Sequence, residues 1–144
     1  MIDLKPAYDK IDIAPQFKKA YEKTLLNGLT IMFNSKTHKM MVDQIEKPGD
    51  LAKNISDGVV ALFYLIWNQT NKSIAPQIIV PVVFTWTLKT FDFLQMSNDP
   101  RATKKVLGDA TDLAVTTIMQ KFGVKQDDIE KLVRQNDATL KGVK

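Results

Sequence analysis

The sequence contains no cysteine. That excludes disulfides, thiolate nucleophiles, thiolate-held iron–sulfur clusters and cysteine-based zinc sites. It fits a chain made in a reducing compartment. A chain without cross-links can also be unfolded and drawn through a narrow channel. Histidine is nearly absent as well. His38 is the only one, set between Lys36, Thr37 and Lys39, and it reads as a solvated residue of a basic turn. Catalytic triads and histidine metal sites need the ring beside a nucleophile or a carboxylate, and its neighbours in sequence supply neither. The six glycines are scattered, so there is no phosphate-cradling loop and no dinucleotide fingerprint. No uncharged apolar run reaches the roughly 18 residues of an ordinary transmembrane helix. Met1-Ile2-Asp3-Leu4-Lys5-Pro6 carries an acid early and lacks the apolar stretch of a secretory signal. The triplets at Asn54, Asn68 and Asn71 that mimic glycosylation acceptors therefore read as chance.

What remains is ordinary in bulk. The 144 residues suit one domain with a real core. An apolar fraction of 44% and a charged fraction of 25% are globular values. The net charge of +4 would tolerate an acidic partner or an anionic membrane without demanding one. The basic pairs Lys18-Lys19 and Lys104-Lys105 lack interleaved aromatics, so DNA contact, if any, would be non-specific. Asp109 and Asp112 share a helical face, but Lys105 lies one turn before Asp109 and would neutralise it. Asp127-Asp128 reads as capping chemistry. Neither pair makes a convincing catalytic or metal site. The chain is expected not to be an enzyme and to need no cofactor.

Helical spacing dominates the pattern. Residues 1–13 read as an extended arm. A first helix starts near Pro15, with Phe17, Tyr21, Leu25, Leu29, Met32 and Phe33 on one stripe. Met40–Ile45 suggests a short continuation. Pro48-Gly49 breaks the chain, and Asp50 is a candidate N-cap for a second helix running to about Asn68. Residues 78–94 carry two signals. Phe84, Trp86 and Leu88 alternate with Thr85, Thr87 and Lys89, as in a strand. Pro81, Thr85, Lys89 and Asp92 instead fall on one narrow helical stripe. The length favours a helix, kinked or broken near Pro81. Asp99-Pro100 reads as the next helix start, Gly123 as a terminal glycine, and residues 126–133 as a short last helix. Residues 136–144 read as a flexible tail. The expectation is an all-α, single helical domain over 1–144, of about four to five helices, with a central apolar helical hairpin.

That hairpin is the unusual feature. Gly58–Trp67 runs ten residues without a charge, and Ile78–Leu94 is nearly as apolar. Helices apolar on most sides must be covered on most sides. Two readings stand: the core of a bundle, or an interface. The interface reading assigns Val59, Phe63, Ile66, Trp67, Val82, Val83, Phe84, Trp86 and Phe93 to subunit or lipid contact. Thr85, Lys89 and Asp92 then form a polar stripe facing a lumen or a neighbour.

The order of segments resembles a small ejection (internal virion) protein of short-tailed phages that package a giant virion RNA polymerase. The likeness is carried by Ser56-Asp57-Gly58-Val59-Val60, Ala75-Pro76 with Pro81, and Phe91-Asp92-Phe93-Leu94. Asp99-Pro100-Arg101-Ala102-Thr103 and Lys121-Phe122-Gly123-Val124 continue it. The resemblance implies a virion protein that is ejected with the genome and reassembles as an oligomeric conduit in the host envelope. Its partners would be itself, other virion proteins and the host membrane. It transfers no functional residue. The alternative is a soluble, cytoplasmic helical adaptor or regulatory binding module.

Overall fold

Helix boundaries follow local chemistry in the computed structural model, which describes residues 1–143. Seven α-helices occur among the described residues, in this order: α1 Lys5–Asp9, α2 Lys18–Phe33, α3 His38–Ile45, α4 Leu51–Gln69, α5 Pro76–Met96, α6 Lys104–Lys121 and α7 Gln126–Leu140. A 3₁₀ turn, Pro15–Phe17, leads into α2. The chain is all-α, with seven helices where the apolar stripes suggest about four to five; the additional ones, α1 and α3, are short.

The cap predicted at Asp50 is present. Its carboxylate accepts the Ala52 N–H at 3.2 Å and starts α4. Gly123 ends α6 with a φ of 74°, a conformation that suits glycine. The hairpin turn between α4 and α5 places both Asn71 and Lys72 in the left-handed region. The helix start expected at Asp99-Pro100 lies elsewhere. Thr103 caps α6 by accepting from the Val106 N–H. The Asp99 carboxylate is engaged by Arg101, through its backbone N–H at 2.9 Å and its guanidinium at 2.8 Å. That turn uses up the cap before a helix can begin.

α5 runs unbroken through Pro81. Its buried threonines do not favour a strand here because each is satisfied within the helix. Thr85, Thr87 and Thr90 donate to the carbonyls of Pro81, Val83 and Trp86 at 2.8–2.9 Å. The alternation that mimics a strand is thus a run of hydroxyls folded back on their own helix.

Two apolar clusters share α5 as a common wall. The main core joins Ile78, Ile79, Val82, Val83, Trp86 and Leu94 to Ile55, Val59, Phe63 and Ile66 of α4 and Ala114, Val115 and Ile118 of α6. The second cluster joins Phe84, Leu88 and Phe91 to Leu4 and Ala7, Leu107, and Leu140 and Val143. At 100° per residue the two sets lie on nearly opposite sides of α5.

Both chain ends therefore differ from expectation. The arm is not wholly extended: it contains α1, and Leu4 and Ala7 are buried. The tail is not loose: α7 continues to Leu140, and Leu140 and Val143 are buried. The physical reason is the second apolar face of α5, which the two ends cover. Leu4, Ala7, Tyr8 and Ile11 sit at helical spacing, which explains why so short a segment can dock.

Candidate functional site: the central hairpin and its polar stripe

The residues expected at an interface are mostly interior. Val59, Phe63, Ile66, Val82, Val83, Phe84 and Trp86 are all buried within one chain. This corrects the expectation that they are available to lipid or to another subunit in the folded monomer. The reason is the count of covering elements. α2, α3, α6 and α7 supply part of the cover, and the two chain ends supply the rest.

Trp86 shows how tight this cover is. Its indole lies flat on α2 at Gly28 and donates from Nε1 to the Leu25 carbonyl at 3.1 Å. A methyl group at Gly28 would stand 2.2 Å from the ring. Glycine is thus required here for a close approach.

Trp67 and Phe93 are only partly covered. Trp67 stacks on Phe63 and meets the edge of Phe122, with centroids 6.0 and 5.1 Å apart. Phe93 lies against His38, with centroids 5.1 Å apart, while His38 also stacks on Phe33. The Nδ1 of His38 bonds the Met32 carbonyl at 2.8 Å. The histidine is therefore a packed joint between α2, α3 and α5, and not a freely solvated turn residue.

The polar stripe is also covered. Thr85 is buried and shares a 2.9 Å hydrogen bond with the Tyr21 hydroxyl. Lys89 and Asp92 each turn to Tyr8 of the N-terminal arm. The Tyr8 hydroxyl donates to Asp92 at 2.7 Å, and the Lys89 ammonium sits 4.8 Å from the centre of the Tyr8 ring. Burial, then the bond to Asp92, holds the Tyr8 phenol well above its ordinary range. One turn further on, Gln95 holds the backbone of Ile2 from both sides. It accepts the Ile2 N–H at 2.6 Å and donates to the Ile2 carbonyl at 3.0 Å. Of the stripe expected to face water or a neighbour, Thr85 is closed by α2, and Lys89 with Asp92 is the seat of the chain's own arm.

An apolar cleft is also open to solvent. A cleft of about 210 Å³ opens between α2, α3 and α4, lined by Ile31, Met32, Met41, Ile55, Val59 and Leu62. Met40 and Leu65, 68% and 43% exposed, also line it. Soft methionines give such a cleft an adaptable surface.

The acidic face of α6 divides into two behaviours. Asp109 pairs with Lys105 at 2.6 Å, as its spacing predicts. Asp112 instead faces Asp137 of α7, within hydrogen-bonding reach, and one of its oxygens is buried without a partner. Burial, then the Asp137 carboxylate, pushes its carboxyl up to about 7. A contact between residues on two helices leaves no spacing signal, so the sequence did not reveal it. Among the described residues no cluster of three acidic or histidine side chains could hold a metal ion.

No family model matches this chain, and no curated protein or solved structure is found to be similar to it.

Proposed function

We propose that this chain is a phage virion protein that acts by self-assembly. On ejection it commits its α4–α5 hairpin to an envelope-associated conduit for genome delivery. The observation that carries this reading is α5 itself. Its 21 residues extend about 31 Å, matching a hydrocarbon core of about 30 Å. By length and composition α5 can cross a membrane, yet 67% of its most apolar window is buried in the folded chain. The other helices and the chain ends pack around that helix. The folded monomer keeps that helix away from lipid. Insertion requires the second face of α5 to be uncovered and several hairpins to share their charged stripes, because Lys89 and Asp92 are costly in contact with lipid.

Dye release from vesicles of outer-membrane-like lipid tests this. Dilute folded monomer should release nothing. Protein assembled at high concentration or in detergent should release dye. Leu65→Asp should abolish release without unfolding the chain, since Leu65 is already exposed. Preformed oligomers that neither bind nor permeabilise vesicles would end the membrane part of the proposal. Monomers at every concentration in light scattering would end the self-assembly part.

The second reading, a soluble adaptor, rests on the methionine-lined cleft between α2, α3 and α4. It predicts function in a monomer that leaves vesicles intact.

A further inference from the structure

We propose that residues 1–11 form an exchangeable arm, and that the face of α5 they cover is a docking surface for the same arm of a second copy of this chain. The inference deepens the self-assembly part of the function proposed above and does not depend on membrane insertion.

The occupant is fixed by what already sits there. Leu4 and Ala7 are buried against Phe84, Leu88 and Phe91. Gln95 grips the backbone of Ile2, and Asp92 takes the Tyr8 hydroxyl. The arm's own contacts with α5 all lie between Ile2 and Ile11. The linker contributes none. Residues 12–14 have no regular structure, and Asp12, Ala14 and Pro15 are exposed.

The linker is short and mostly exposed, and it makes no contact that an exchanged arm would have to give up. Ala14 is extended, with φ −54° and ψ 138°, as the residue before a proline prefers. An arm docked on another copy would make the same hydrogen bonds and the same apolar contacts. The exchange therefore costs little in contacts and is driven by protein concentration. Reciprocal exchange gives a dimer. Head-to-tail exchange, in which each copy gives its arm to one neighbour and receives one from another, gives a ring or a filament. A second copy alone carries the matching sequence, so the surface selects its own kind.

The absence of cysteine makes the test clean. Asp3 and Met96 are both exposed and line the same cleft between arm and α5. An Asp3→Cys variant and a differently tagged Met96→Cys variant are mixed at concentrations where sizing shows oligomers, then oxidised. Arm exchange predicts a mixed-tag disulfide several-fold above the level seen when Leu4→Asp is added to the first variant. The double variant, Asp3→Cys with Met96→Cys, should close within one chain when dilute and between chains when concentrated. Deleting residues 1–11 should abolish the oligomers while circular dichroism still reports helix. If oligomers form but the mixed disulfide stays at background, or if deletion leaves their size unchanged, arm exchange is overturned and self-assembly uses another face. If no oligomer forms at any concentration, both fall together.

Discussion

The two clusters on either side of α5 are built differently. The main core draws on α2 through α7 and is packed helix on helix, most extensively α4 against α6. Its largest member, Trp86, is fully buried and hydrogen-bonded. The terminal cluster is smaller. It gathers residues 4–7, 84–91, 107 and 140–143, which are far apart in the chain. Such contacts close long loops, and the ordering of a long loop costs entropy that a small cluster repays poorly. Regions with few buried apolar contacts near chain ends open first. The comparison predicts that the face of α5 under the chain ends opens before the face under the main core.

The largest test of that comparison removes a side chain from each cluster. Trp86→Ala should cost about 3–5 kcal/mol, a large share of the stability of a domain this size. Denaturant unfolding followed by circular dichroism reads the loss, and hydrogen exchange should rise throughout α4 and α5. Leu4→Ala should cost less, about 2 kcal/mol, because its cluster is smaller and lies near a chain end. Its exchange should rise in α1 and in residues 140–143 while α4 stays protected. Loss of α4 protection in the Leu4 variant would mean one cooperative unit, and the distinction between the clusters would fail.

Gly28→Ala sharpens the account of the main core. Alanine is the better helix former by roughly 1 kcal/mol. Its methyl group would nevertheless stand 2.2 Å from the Trp86 ring. The net effect should be a loss of about 1–3 kcal/mol, with the tryptophan emission moved to the red. A stabilised variant would show that the ring can slide and that the contact is loose.

The smallest effect concerns pH and the end of α7. Asp112 has its carboxyl raised from 3.8 to about 7, mainly by burial and then by Asp137. A carboxyl raised on folding stabilises fully below its unfolded value, and that contribution fades as pH climbs through the folded value. Stability should therefore fall between about pH 4 and pH 7. Asp112→Asn should flatten this slope and gain about 1 kcal/mol above pH 7, a figure kept small because the group is partly solvated. Thermal melts at pH 5 and pH 8 read both effects. An unchanged slope in the variant would place the titration elsewhere.

The fold class was legible because α2, α4 and α5 carry long apolar stripes. Local punctuation was legible where one side chain does the work, as at Asp50 and Gly123. The choice of helix over strand for α5 came from the shared stripe of Thr85, Lys89 and Asp92, and it holds. The cover of α5 was missed although its signal was present. Leu4, Ala7, Tyr8 and Ile11 repeat at helical spacing, but four residues before a proline do not announce a partner 80 residues away. The same gap hid the role of the candidate stripe. The sequence places Lys89 and Asp92 together, while only tertiary structure reveals that Tyr8 stands between them and water. Asp112 and Asp137 meet across two helices and left no trace in either.

The two ends of the chain lie side by side. Gly142 faces Pro6 and Lys10, and both ends rest on the terminal cluster. Tension arriving through residues 1–3 or through residues 141–143 would be borne first by that cluster. Because the two segments start from one spot, their contacts would peel in succession instead of shearing all at once. Such a pull would open this cluster first and bare the second face of α5. The main core would still be intact at that moment. The terminal cluster is thus the first element to carry the load of a pull applied at residues 1–3 or 141–143.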